Sequence, residues 1–451
     1  MSDLLNIGRS GVIAYRAALS TVGENVSNAE TEGYTRRTVS LGESAVSTSN
    51  NYIYRSSAVF GGVEVGGVQR VFDNYRSSYA RFANSEAARA DVKATWLATA
   101  EAALDDSDVG LGVKMGSVFT SAEALSADVS SDTNRQQVLT TLTDAAYQFN
   151  ATASKLQSAA EGVATAAQNT IDKLNGDLQT LAQINSAIRR AEDGSAGKAL
   201  LMDQRDALLK NISGAIGIDV KLQDDGRADV TLQGDASVHL VDAAKTTPSY
   251  VGMIQASDGR LSLMASGYGA AVTMSPQSGA LAGLADVSNS IAARRQSLDA
   301  IAANFANVIN SWNQAGIDRD GNAGAALVSG TTAATLAVST TDLSKIAAAS
   351  TGGVANGNAL ALKNYRNSAG PEAAWSLLVS NHAQTVAAAK AEQSATASQK
   401  DGAFLQLDEV TGVDLDVEAA QLLRFQQAYN GSARIIQIAR ETLQEIFNLF
   451  S

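Results

Sequence analysis

Apolar residues recur every seven positions at both ends of this chain, and that repeat restricts its fold more than any other feature. Near the start, Leu5, Val12, Leu19 and Val26 form one stripe, with Gly8, Tyr15, Val22 and Ala29 beside it. Near the end, Leu415, Leu422, Tyr429, Ile436, Leu443 and Phe450 keep the same stride, and Phe425, Ala439 and Ile446 stand alongside. A sustained seven-residue repeat gives a narrow apolar seam suited to a partner helix, whereas a helix on a globular core needs a wider face. Two such seams on one chain predict that the ends pair with each other, within or between copies.

The interior repeats the theme. Leu142, Phe149, Leu156 and Val163 are seven apart, then the phase slips by one to Ile171 and Leu178, with Leu174, Leu181 and Ile188 beside them. That slip is what a straight helix of 3.6 residues per turn requires over several heptads. Ser131 and Asp132 are cap candidates before this helix, and "EDGSAG" (Glu192 to Gly197) closes it. A further row runs through Ile291, Leu298, Phe305 and Trp312, and Pro371 opens a helix through Trp375, Leu378 and Val386. Between these rows, Ile216 to Ser278 alternates instead, with Asp225-Gly226 and Asp258-Gly259 as hairpin turns. The expected fold is mainly α: long terminal helices in a coiled-coil-like region, a helical bundle with some extended segments, and a small inserted β-domain that folds as a separate unit. Residues 40 to 72, extended and punctuated by glycine, connect the first helix to the bundle.

Several chemistries are excluded. The chain has no cysteine, so disulfides and thiolate metal sites do not arise. His239 and His382 are its only histidines and neither has a companion motif for catalysis. A net charge of −12 argues against nucleic acid, and no apolar run is long enough for membrane insertion. "GSAGKAL" (Gly194 to Leu200) lacks the first glycine and the final Ser or Thr of a phosphate loop, and reads as a helix-ending turn. "GLGVKMG" (Gly110 to Gly116) misplaces the third glycine of a dinucleotide fingerprint. The acidic pairs Asp105-Asp106 and Asp414/Asp416 lack a calcium-loop pattern and read as helix caps. No catalytic, cofactor-binding or metal residue is expected.

The turn after the first helix carries the sharper signal. Asn25, Asn28, Thr31, Gly33 and Tyr34 spell Asn-x-x-Asn-x-x-Thr-x-Gly-Tyr, followed by Thr35-Arg36-Arg37. This resembles the signature of the axial family of bacterial flagellar proteins (rod, hook and hook-associated). The closing helix, with Val413, Leu415, Glu418, Ala419, Leu422, Gln426, Gln427, Ala428, Tyr429, Ala433 and Ile436, is similar to the hook-associated branch of that family. So are "MDQRDALLKNIS" (Met202 to Ser213) and "NVINSWNQAGIDRDG" (Asn307 to Gly321). The chain departs from the pattern at Glu32, where proline is common, and at Asn430-Gly431, which weakens a helix by roughly 1 kcal/mol at the glycine.

The resemblance implies a structural, non-enzymatic protein at the junction of hook and filament, exported through the flagellar type III apparatus without a cleaved signal. It implies a homo-oligomeric ring, contacts with hook protein and a second junction protein, and an export chaperone at the C-terminal helix. Residues 1–45 and 413–451 would form the paired terminal helices, 46–213 and 280–412 the bundle, and 214–279 the β-domain. The assembly interface would comprise the two terminal stripes together with Asn25, Asn28, Gly33 and Tyr34. In the signature, Gly33 permits a positive φ, the two asparagine amides satisfy loose carbonyls or neighbouring subunits, Tyr34 buries its ring, and Arg36 and Arg37 meet acidic neighbours. A hook or rod protein of the same family would have a mainly β middle, which the heptad rows oppose. A cytosolic helical enzyme would need a polar constellation that the sequence lacks.

Overall fold

The computed structural model describes residues 2–44, 61–367 and 369–449. Phe450 therefore lies outside the described residues, as do positions 45–60 of the connecting segment. Helix α1 (Ser2–Ser27) leads into a two-stranded antiparallel ribbon, β1 (Arg37–Glu43) and β2 (Val63–Arg70). Then come α2 (Asn74–Ala103), α3 (Leu111–Ala127), α4 (Asp132–Arg190) and α5 (Ala196–Ala215). Six strands follow: β3 (Ile218–Leu222), β4 (Ala228–Leu232), β5 (Asp235–Val241), β6 (Tyr250–Gln255), β7 (Leu261–Ser266) and β8 (Val272–Met274). The chain closes with α6 (Ala280–Gln314), a stretch of short pairings, α7 (Gly357–Ala361), α8 (Pro371–Thr411) and α9 (Leu415–Leu449).

The body is built on α4, 59 residues long and so about 88 Å from end to end. Ser131 caps it by accepting from the Asn134 amide (3.2 Å), as expected. Every residue of its predicted rows, from Leu142 to Ile188, is fully buried, the phase slip included. Ile291, Leu298, Phe305 and Trp312 of α6 are buried as well, and the Phe149 and Phe305 rings sit 5.6 Å apart. One cluster of buried apolar residues runs without a break through α2, α3, α4, α6 and α8. "GSAGKAL" does more than end a helix: Gly194 makes the turn, and Ser195 caps α5 by accepting from the Lys198 amide (3.1 Å).

The β insert has the expected hairpins, β3–β4 around Gly226 and β6–β7 around Gly259, in two three-stranded sheets. It is not closed on itself, however. Val230, Leu240, Val251 and Leu263 belong to the same buried cluster as Leu174, Leu178 and Ile291. Two asparagines of α4 pin the sheets directly. Asn175 donates to the Val251 carbonyl and accepts from the Val251 amide, both at 2.8 Å. Asn185 does the same to Ala228, both at 2.9 Å. Each side-chain amide thus stands where a neighbouring strand's peptide would be. Strands this short bury too little to stand alone, so they complete the helical core instead of folding beside it.

At the other end, α1 and α9 pair into a hairpin within one chain. Its seam is set by small residues: Gly8, Gly11, Ala14 and Ala18 of α1 and Ser432 and Ala439 of α9 are all buried. A Cβ on Gly8 would lie 2.6 Å from Ile436 Cγ1, and one on Gly11 would lie 2.5 Å from Ser432 Oγ, so the glycines permit the close approach. The seam therefore sits beside the predicted stripe, not on it. Leu5, Val12, Leu19, Tyr429, Ile436 and Leu443 are half-buried, while Val26, Leu415 and Leu422 are exposed.

Candidate assembly site

The turn after α1 folds into a buried polar knot that ties the hairpin to the body. Asn25, on the last turn of α1, uses all its hydrogen-bonding capacity there. Its Nδ2 donates to the Arg37 carbonyl (2.8 Å) and to Glu418 Oε2 (3.0 Å). Its Oδ1 accepts from the Arg37 amide (3.0 Å) and the Tyr34 hydroxyl (2.8 Å). Glu418, on the first turn of α9, has a side chain 0% exposed, and Arg36 Nε reaches its Oε1 at 2.7 Å. A carboxylate this deep is tolerated only when paired and hydrogen-bonded. The Arg36 amide also donates to the Thr411 carbonyl (2.8 Å), so the end of α8 joins the same knot.

A second layer reaches α5. The Arg37 guanidinium bridges Glu24 (3.2 Å) and Asp203 (3.0 Å) and lies 4.9 Å over the Tyr34 ring. Arg70 of β2 donates to Asp206 (2.8 Å), and its Nε approaches Asp203 at 2.7 Å as an ion pair without hydrogen-bond alignment. Burial, opposed by the Arg37 charge, pushes the Tyr34 hydroxyl up to about 12. It stays protonated and keeps donating to Asn25. Burial also lowers Arg205 and Arg81, which flank this layer. Asn28 donates through Nδ2 to the Glu24 carbonyl (2.8 Å), which already accepts from the Asn28 backbone amide (3.0 Å), so the side chain reinforces a bonded carbonyl at the helix end. Gly33 has φ +79°, where a Cβ would be strained.

The knot thus brings together Asn25, Tyr34, Arg36 and Arg37 of the signature and adds Glu24, Arg70, Asp203, Asp206 and Glu418. Of the added residues, Glu418 and the two aspartates lie inside sequence blocks already singled out above. Nothing local marks Arg70 or Glu24. Asp414 caps α9 as expected, accepting from the Asp416 amide (2.9 Å). Beside the knot, the turn at 29–35, α2, α5 and the end of α8 enclose a groove of about 640 Å³ with Ala80, Phe404 and Leu407 in its lining. The remaining stripe residues lie apart from the knot, spread along the hairpin.

His382 is buried, its Nε2 3.0 Å from the Leu97 carbonyl while Nδ1 accepts from Arg294 Nε (3.2 Å). Among the described residues, no group of three or more acidic or histidine side chains is placed to hold a metal ion. Among the same residues, no helix is long and apolar enough to cross a membrane.

Residues 5–35, which hold most of α1 and the signature turn, match the family model described as flagella basal body rod protein. Residues 97–328, just over half of the chain, match the model described as flagellar hook-associated protein FlgK helical domain, and the chain belongs to that family. Flagellar hook-associated protein 1 of Escherichia coli K12 is 27% identical over 344 residues, covering 72% of this chain. The chain spans only 59% of that relative's length. The protein of the same name from Bacillus subtilis 168 is 26% identical over 495 residues, covering 98% of this chain and 97% of its own. The solved structure of the flagellar hook junction protein FlgK from Burkholderia pseudomallei shares the fold over 56% of this chain and 46% of its own, with TM-score 0.51 and 21% identity.

Proposed function

We propose that this chain is a structural, non-enzymatic component of the bacterial flagellum that joins hook to filament by assembling through its α1–α9 hairpin. The observation that carries this reading is the uneven burial of the hairpin. Its inner seam is filled by glycine, alanine and serine, while Leu4, Ile13, Val26, Leu415, Leu422, Leu423 and Ile438 face outward. Apolar side chains in such number on one exposed element mark an interface. Neighbouring copies would cover them in a homo-oligomeric ring. Hook protein on one side, a second junction protein on the other, export through the type III apparatus and a chaperone at α9 belong to the same proposal. Residues 1–45 and 413–451 form its assembly unit, 46–213 and 280–412 its body, and 214–279 the insert.

The test is a charge in the seam. Ile436 fills the notch left by Gly8, so Ile436→Asp places a carboxylate between the two helices. Position 436 is half-buried in the single chain, so the full cost of an unpaired charge, several kcal/mol, is incurred once neighbouring copies cover it. The body does not use that face, so the variant should stay soluble and helical. Cells carrying it should show hooks without stable filaments and lose flagellin to the medium. The exposed neighbour Gln437→Asp should swim normally. Normal swimming of Ile436→Asp cells, with the variant present at the junction, would overturn the reading.

A further inference from the structure

The outer face of α1 and the lip of the groove carry matching patterns. On α1, Asn6, Arg9, Ile13, Arg16 and Ser20 form the exposed strip, with Ile13 54% exposed. Neither arginine forms an ion pair among the described residues. On α8, Asp401, Leu405 and Asp408 line the groove and are exposed, Leu405 at 71%. Neither aspartate forms an ion pair among the described residues. Both triplets read charge, apolar, charge at i, i+4 and i+7, which places them on one helical face two turns long. One is cationic and the other anionic. Of the cations in the groove wall, Lys210 is engaged by Glu32 (2.9 Å) and Arg70 by Asp203 and Asp206, while Arg81 is buried and donates to Ser78 (3.0 Å). Glu30, exposed on the same rim, adds to the open negative charge.

We propose that the exposed face of α1 docks onto the α8 lip of a second copy of this chain, its Arg9 and Arg16 pairing with Asp401 and Asp408 across an Ile13–Leu405 contact. This rests on the proposal that the chain assembles through its terminal hairpin, and it names the surface of the body which that hairpin meets. A chain cannot satisfy its own pattern. The groove begins at Ala29, just past the end of α1 at Ser27. At 1.5 Å per residue, Arg16 and Arg9 lie about 17 and 27 Å back along a continuous helix. The charges select the partner and fix the axial register, since a slip of one turn sets a charge against an apolar side chain. The groove floor beside them, Phe404 and Leu407, gives Ile13 an apolar surface to cover.

Because the chain has no cysteine, the contact can be tested by placing one in each of two chains. Cells would co-express Ile13→Cys and Leu405→Cys variants, and their flagella would be isolated and oxidised. A disulfide-linked dimer is expected only when both variants are present. Arg9→Glu with Arg16→Glu in the first chain should reduce the dimer roughly tenfold, as like charges then face each other. Adding Asp401→Lys and Asp408→Lys to the second chain should restore it. Raised salt should weaken the contact, since both pairs are exposed. Flagella that contain both variants but no cross-linked dimer would sink this docking and leave assembly through the hairpin standing. So would a dimer indifferent to the charge swaps. Absence of the cysteine variants and of the unaltered chain from flagella would sink the assembly reading, and this docking with it.

Discussion

The body and the terminal hairpin are both long-helix structures, yet they bury opposite kinds of residue. In the body, Trp312, Trp375, Phe149, Phe305 and a run of leucines are fully buried. In the hairpin, the buried positions are mostly glycine, alanine, serine and threonine, with Val22 the largest apolar one and the other large residues at or near the surface. Large side chains inside make a unit that holds itself together, since each contributes roughly 1.5–3 kcal/mol on burial. Small side chains inside bring two helices close but supply little energy, and much of the hairpin's apolar surface stays exposed. The body buries its large side chains within the chain, whereas the hairpin leaves many of its own at the surface.

The largest effect expected from this contrast is in the body. Phe305→Ala removes a buried ring packed on Phe149 and should lower the main unfolding free energy by about 3–5 kcal/mol, read as a fall in Tm. No truncation of an outward residue such as Leu423 should approach it. A Leu423→Ala loss of similar size would mean that the hairpin is self-sufficient after all.

A smaller and more local effect is expected at the knot. Glu418→Ala takes away the acceptor shared by Asn25 and Arg36. Bonds to a charged group are worth about 1.5–3 kcal/mol, and Arg36 is partly exposed, so water rescues some of the loss. The expected outcome is faster proteolysis around Gly412 and in the turn at 29–35, with the main transition unmoved. A drop in the main transition would show that hairpin and body unfold together.

His382 gives a third probe, confined to the body. Burial, reinforced by the Arg294 charge and opposed by the Leu97 carbonyl and Glu101, holds its pKa below the usual 6.5. The unfolded chain therefore binds a proton that the fold refuses. Stability is full above pH 6.5 and falls as pH drops towards the folded pKa, by at most about 1.4 kcal/mol per unit for one linked proton. His382→Gln should flatten that slope in denaturant melts between pH 7 and 5. An unchanged slope would place the acid sensitivity elsewhere.

The smallest effect runs the other way. Gly431 sits inside α9 with nothing within 4 Å of where a Cβ would go. Gly431→Ala should stiffen the helix by about 1 kcal/mol and raise the helical signal of the hairpin without touching the body. A loss of helical signal would mean that a contact is made there.

The same contrast explains what was legible in the sequence. The α4 and α6 rows could be read because leucine, isoleucine and phenylalanine carry the period, and all of them are buried. Helix α2 escaped because its buried face is Ala80, Ala83, Ala87, Ala90 and Ala94, residues too small to stand out from an alanine-rich chain. The hairpin seam was displaced for the same reason: Gly8, Gly11, Ala14 and Ala18 give little hydropathy signal beside Leu5, Val12 and Leu19. The signature turn was visible, and so was the need of Arg36 and Arg37 for acidic partners. Which acids they find was not visible, because Asn25 and Glu418 are 393 positions apart and no local pattern links them.

The asparagine contacts of α4 have a mechanical consequence. Apolar burial is non-directional and does not by itself name which residue of a strand meets which residue of a helix. Asn175 and Asn185 fix that pairing, since each grips one peptide by both its amide and its carbonyl. Asn310 of α6 does likewise at Val328, at 3.0 and 2.8 Å. A pull along the helix axis must break both bonds at each asparagine before the sheet can advance by a single residue. The C-terminal part of α4 and the sheets it grips therefore resist axial shear together, and load on the insert passes into the helix instead of being lost as slippage between layers.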